Sequence, residues 1–211
     1  VTTVPFSFNG EKITAFEGET ILQAAKRNGY EIPHLCYSDN LRADGNCRAC
    51  MVEIDGERAL APSCCRQPNN DMTVRGDSGR ARKAQSLVLE LLRGEVGNSH
   101  FSNRSELDYW CDQLEVTGSR FGSRQQPMGD ASHPAIAVNL SACIQCTRCV
   151  RACREEQAND VIGFAHRGIH SEIVFDLGDS MGESSCVGCG ECVQACPTGA
   201  LMPAGGVGVE A

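Results

Sequence analysis

The chain has 211 residues and carries 19 Lys and Arg against 27 Asp and Glu, a formal net charge of −8. That balance argues against nucleic acid as a partner. No run reaches the length of a membrane span and no basic, apolar leader precedes the first apolar stretch, so a cytoplasmic, reducing setting is expected. Aromatic residues make up 5% of the chain, which limits the conventional core, and 14 cysteines demand metal or disulfides as their explanation.

Residues 1–78 read as a small β-rich domain. Residues 4–8 are extended, Asn9-Gly10 is a two-residue hairpin signal, and residues 11–15 return. Thr20 and Gln23 have capping-box spacing ahead of Ile21, Leu22, Ala24 and Ala25, and Asn28-Gly29 stops that helix before Pro33. Residues 51–54 and 58–61 form a second hairpin around Asp55-Gly56, and residues 71–74 could close the sheet. Between these elements lie Cys36, Cys47, Cys50 and the adjacent Cys64 and Cys65. Four thiolates on loops around a compact sheet can hold a [2Fe–2S] rhomb, two sulfurs to each iron. Zinc is the alternative occupant, since sulfur ligands do not identify the metal by themselves. Only one of Cys64 and Cys65 can easily ligate, and the other is expected to face away as a buried, unreactive thiol.

Residues 79–134 read as a helical linker. A helix over 78–93 shows Ala84, Leu87, Val88, Leu91 and Leu92 on its apolar face, Arg80, Arg82 and Lys83 on its solvated side, and Gly94 and Gly97 at its end. His100, Cys111 and His133 are the soft-metal ligands of this stretch, too few for a cluster of their own. His100 is expected at the surface and Cys111 packed. Leu107, Tyr109, Trp110 and Leu114 are expected to pin the region onto the cysteine-rich residues beyond it, through a connecting loop over 120–134.

Residues 135–203 contain two runs of spacing C-x2-C-x2-C-x3-C, C-I-Q-C-T-R-C-V-R-A-C from Cys143 and C-V-G-C-G-E-C-V-Q-A-C-P from Cys186. This is the spacing of bacterial two-cluster ferredoxins, in which the fourth cysteine of each run ligates the other cube. Cys143, Cys146, Cys149 and Cys196 are therefore assigned to one [4Fe–4S] cluster, and Cys186, Cys189, Cys192 and Cys153 to the second. Zinc sites use C-x2-C pairs separated by a spacer, which does not describe these runs. Strands are expected over 161–164 and 172–177, with His166 and His170 as turn or surface residues. Residues 204–211 form a Gly-rich tail or the start of a linker. No residue here reads as a catalytic acid, base or nucleophile, and no glycine-rich dinucleotide fingerprint follows a strand.

Across essentially its whole length the chain resembles the N-terminal iron–sulfur region of the catalytic subunit of NAD-dependent molybdenum or tungsten formate dehydrogenases. The resemblance rests on H-P-A-I-A-V-N-L-S-A-C-I-Q-C-T-R-C-V-R-A-C-R-E-E-Q from His133, N-D-V-I-G from Asn159 and S-S-C-V-G-C-G-E-C-V-Q-A-C-P-T-G-A-L-M-P from Ser184. D-G-N-C-R-A-C-M-V-E-I from Asp44 and L-A-P-S-C-C-R from Leu60 extend it forward. The cluster motifs are shared with complex I large subunits, NAD-linked hydrogenase diaphorase parts and iron hydrogenases. The resemblance implies an α+β architecture, a β-grasp [2Fe–2S] domain joined by a helical linker to a tandem [4Fe–4S] domain, and it favours Cys36, Cys47, Cys50 and Cys64 as the front ligands. It implies electron transfer from a molybdopterin centre, with Mo or W, on a domain or subunit beyond these residues. Flavin (FMN) and NAD would lie on a diaphorase partner subunit. Many relatives carry an intervening H-x3-C-x2-C-x5-C cluster. Here His100 is followed by no cysteine until Cys111, so that cluster is expected to be missing. The alternative expectations are the electron-transfer arm of an NAD-linked hydrogenase or complex I-like enzyme, a structural module stabilised by metal, and a redox sensor.

Overall fold

The computed structural model describes residues 2–96, 105–122 and 129–206. The chain opens with β1 (Thr3–Phe8) and β2 (Glu11–Phe16), antiparallel in a register that sets Phe6 opposite Ile13. Asn9 and Gly10 between them have φ of 50° and 88°, the left-handed pair that a two-residue hairpin turn requires. Alternation along the two strands sends Phe6, Phe8, Ile13 and Ala15 to one face. On that face lies α1 (Ile21–Arg27), closed at its start by the expected capping box of Thr20 and Gln23 and at its end by Asn28. Ile21, Leu22, Ala24 and Ala25 bury there, each large side chain contributing about 2 kcal/mol of transfer free energy.

Three further strands complete the sheet: β3 (Met51–Ile54), β4 (Ala61–Pro62) and β5 (Thr73–Arg75), in the order β2-β1-β5-β3-β4. β5 runs parallel to β1 and antiparallel to β3. It is therefore the central strand and not the closing edge that its place in the chain suggests. The second hairpin is also looser than expected. Pairing resumes only at Ala61, opposite Val52, because Pro62 can sit on this outer strand while residues 55–60 loop out.

The helix α2 (Gly79–Val96) departs from its expected face and end. Its buried side chains are Ala81, Gln85, Leu89 and Val96, whereas Leu87 and Leu91 are exposed. The anchor is polar: the Gln85 side-chain amide donates to the carbonyls of Met51, at 2.9 Å, and Gly76, at 3.1 Å. That placement leaves Leu87 and Leu91 exposed, while Val88 and Leu92 of the expected face are half-buried against the core. Gly94 does not end the helix but lies buried inside it, where a Cβ would come within 2.6 Å of the Ser119 hydroxyl. Gly97 and His100 lie outside the described residues. α3 (Glu106–Gln113) starts at Ser105, whose hydroxyl accepts from the Asp108 amide, and is tied to α2 by the Arg93–Asp108 ion pair.

The last region contains β6 (Ile136–Val138), α4 (Arg148–Arg151), β7 (Ile162–Ala165), β8 (Glu172–Phe175), α5 (Glu191–Ala195) and β9 (Leu201–Pro203). β7 and β8 form the expected hairpin. β6 and β9 pair antiparallel, a ladder without a sequence expectation behind it, which ties the beginning of the cysteine-rich region to its end. Together the described residues form an α+β chain, a small mixed sheet followed by helices and a cysteine-rich unit.

Candidate iron–sulfur centres

Cys36, Cys47 and Cys50 lie in the segment between α1 and β3, Cys64 follows β4, and their thiols interact. The Cys36 amide lies 3.4 Å from the Cys47 sulfur. Hydrogen bonds from the Cys47 and Cys64 thiols pull the Cys36 thiol far below its ordinary range. Cys64 likewise draws Cys50 down to about 7, and the donors, Cys47 and Cys64, are pushed up in return. The four side chains thus share protons as one set, and a set in which one member ionises readily is chemically suited to thiolate ligation. Cys65 corrects an expectation: it is exposed, not buried, and its sulfur stands 3.6 Å from that of Cys64 instead of facing away. Gly45, at φ 64°, leaves room for it, since a Cβ there would fall 2.8 Å from the Cys65 sulfur.

The two tandem runs have one backbone design. Gln145 and Thr147 in the first run have φ of 55° and 62°, and Gly188 and Gly190, at the same offsets in the second, have 69° and 83°. In each loop the amide two residues after the first cysteine points at that cysteine's sulfur, Gln145 to Cys143 and Gly188 to Cys186, both at 3.4 Å. The glycines adopt this conformation without strain, while Gln145 and Thr147 do so at a cost of roughly 1 to 3 kcal/mol each. Thr147 is held by its surroundings: its hydroxyl donates to Asp44 at 2.9 Å and accepts from Asn46 at 2.9 Å, both residues of the front loop.

After Cys149, α4 widens into a five-residue π-turn over Ala152–Glu156, which carries Cys153 away from the first loop. Cys143, Cys146, Cys149 and Cys196 line one cavity, about 360 Å³ of atom-free space partly open to solvent, with Ile144, Pro197 and Leu201 among its apolar walls. Burial pushes the Cys146 and Cys149 thiols up, reinforced by Cys143 and Cys196 beside them. Cys192 is pushed up to about 12 by burial and then by Cys186, Cys189 and Cys153. Cys196 thus lines one cavity with the first three cysteines of the other run, and Cys153 lies near enough to Cys192 to act on it. Cys189 is the exposed member of the second set, and Cys186 is half-buried. The all-thiol donor set of Cys143, Cys146, Cys149 and Cys196 around an apolar cavity has the donor chemistry of an iron–sulfur site, and a low-dielectric wall around thiolates is what tunes such a group.

His133 accepts the amides of Ala135 and Ile136 on Nδ1, at 3.1 and 3.2 Å, and its ring lies beside Gly188. His166 and His170 are exposed, as expected. Cys111 is buried on α3 and pushed up to about 11 by that burial. It packs with Leu35, Cys36, Ala49, Leu89, Leu107, Trp110, Ile144 and Cys146 in one core. Leu107 and Trp110 thus pin α3 to both cysteine regions at once, while the exposed Tyr109 reaches the front domain by a hydrogen bond to Glu31.

Two residues escaped the sequence reading. Arg148 and Arg151 on α4 are buried, and both guanidinium groups point back into the front domain. Arg148 donates through Nη1 to both carboxylate oxygens of Glu106, at 2.7 and 2.9 Å, and to the Leu35 carbonyl, at 3.3 Å. Arg151 donates to the carbonyls of Arg42, Cys36 and Cys146. Their place in the motif between metal ligands, with no polar function nearby in sequence, was the signal available.

The model of the 2Fe-2S iron-sulfur cluster binding domain matches residues 1–79, and that of the 4Fe-4S dicluster domain matches residues 142–200. An NADH-quinone oxidoreductase subunit of Rickettsia felis is 31% identical over 204 residues, covering 94% of this chain and 30% of the relative. The NADP-reducing hydrogenase subunit HndD of Solidesulfovibrio fructosivorans is 33% identical over 216 residues, covering 96% of this chain and 36% of the relative. The chain thus spans about a third of the length of these curated relatives. A chain in the crystal structure of an NAD+-reducing [NiFe]-hydrogenase in the H2-reduced state superposes with a TM-score of 0.87 at 28% identity, with 96% of this chain and 88% of that one covered. Among the described residues no helix is long and apolar enough to cross a membrane.

Proposed function

We propose that this iron–sulfur-cluster-binding module, related to complex I and hydrogenase subunits, is the electron-transfer arm of an NAD-linked hydrogenase or complex I-like enzyme. Cys36, Cys47, Cys50 and Cys64 would hold a [2Fe–2S] cluster. Cys143, Cys146, Cys149 and Cys196 would hold one [4Fe–4S] cluster, and Cys186, Cys189, Cys192 and Cys153 the other. Bound there, the clusters supply one-electron redox chemistry over a wide range of potentials. The chain itself supplies thiolates at preset positions, amides aimed at sulfur, and apolar walls that keep water away.

The observation that carries the reading is the shared core holding both Cys36 and Cys146. It brings a residue of the front thiol set and one of the first tandem set into the same body of packed side chains. The exposed Cys189 leaves the second tandem set beside the surface, where a partner subunit could exchange electrons with it. The names of the relatives favour a hydrogenase or NADH oxidoreductase complex over a formate dehydrogenase, which is supported by motif wording alone. Purification of the tagged chain from its native host under anaerobic conditions, with metal and cofactor analysis of whatever accompanies it, separates the two. Nickel, or FMN with NAD(P)H-oxidising activity and no pterin, is expected. Molybdenum or tungsten with a pterin would transfer the module to formate dehydrogenase.

A further inference from the structure

Arg148 and Arg151 lie one turn apart on α4 but meet different fates. Arg148 has a carboxylate of its own, Glu106, both of whose oxygens accept from its Nη1. Arg151 is equally buried and has none at that range. Its nearest carboxylate, Asp44, stands 3.9 Å from Nε, and that oxygen already accepts from the Thr147 hydroxyl. Nε itself has no hydrogen-bond partner. The guanidinium instead donates through Nη1 to the Arg42 carbonyl, at 2.5 Å. Through Nη2 it donates to the carbonyls of Cys36, at 2.6 Å, and Cys146, at 3.3 Å.

A buried cation without a close counter-ion is costly, and negative charge nearby offsets that cost. Cys36 belongs to the front thiol set and Cys146 to the first tandem set, and a cluster held by four thiolates is a net anion in either redox state. From this geometry we propose that Arg151 is a positioning residue that spans the two sites, holding their loops in register and placing one positive charge between them. This inference rests on the cluster assignment proposed above. An added electron makes each site more negative, so a shared cation favours the reduced form of both.

The test is a reductive titration of the intact chain with dithionite, followed by EPR, after iron analysis. In Arg151→Gln, the midpoint potentials of the [2Fe–2S] signal and of one [4Fe–4S] signal are expected to fall together, with the other [4Fe–4S] signal moving least. Arg151→Lys, which keeps the charge but not the fork, is expected to recover most of the shift. Asp44→Asn, which removes the distant carboxylate and leaves Arg151 in place, is expected to move the same two potentials upward. Unchanged potentials in a fully loaded Arg151→Gln protein, or an equal fall of all three, would overturn the proposal. Should Arg151→Gln not retain iron, Asp44→Asn decides: a paired rise supports the coupling and no shift overturns it. A parent chain that carries no iron fails the cluster assignment instead, so the two failures are distinguishable.

Discussion

Cys64 and Cys65 present two adjacent thiols to one place in the front site. Cys64 is buried and in proton-sharing contact with Cys36 and Cys50, whereas Cys65 lies outside that set at the surface. Cys64→Ser should therefore lower bound iron from about ten to about eight per chain and remove the two-iron EPR signal. Cys65→Ser should leave both intact. The reverse pattern would make Cys65 the ligand. The sulfurs are close enough that a Cys64-deficient site has a thiol within reach. A weak two-iron signal with altered g-values in Cys64→Ser would report that substitution and disappear in the double variant.

At the scale of elements, one amide, that of Gln85, sets which face α2 turns to the mixed sheet. Gln85 satisfies the carbonyls of Met51 and Gly76, which are otherwise buried beneath the helix. Gln85→Leu keeps the volume but removes both donors, and a cost of about 1 to 3 kcal/mol is expected. The check is the urea midpoint of the anaerobic, loaded protein, and an unchanged midpoint would show that the helix is held by packing alone. This helix is also where the sequence misleads. Val88 and Leu92 of the expected stripe do pack on the core while Leu87 and Leu91 stay exposed, because periodicity scores side chains and cannot see the Met51 and Gly76 carbonyls that Gln85 meets. Where a signal is local, it was legible: the Asn9-Gly10 turn, the Thr20–Gln23 capping box and the stop at Asn28-Gly29 all stand as read. The central place of β5 and the β6–β9 ladder depend on partners far away in the chain, and no local pattern announces them. The tandem cysteines were legible because metal-ligand spacing is itself local. Their equivalence extends to the left-handed positions at Gln145 and Thr147, which the glycines of the second run disclose only when the loops are overlaid.

At the scale of the whole molecule, α2 and α3 do not merely link two domains. They supply Leu89, Val96, Leu107, Trp110 and Cys111 to a core that also holds Cys36 and Cys146. Arg148 and Arg151 cross the same boundary from α4, and Asn46 returns the contact by donating to the Cys146 carbonyl at 3.2 Å. The front and tandem regions are thus joined by packed side chains and by hydrogen bonds to the carbonyls of Cys36 and Cys146. Iron and acid-labile sulfide per chain on anaerobic protein, followed by EPR during reduction, test the electron-transfer role most directly. The expected result is about ten irons with matching sulfide, one two-iron signal and two magnetically coupled four-iron signals. Zinc with little sulfide would contradict it.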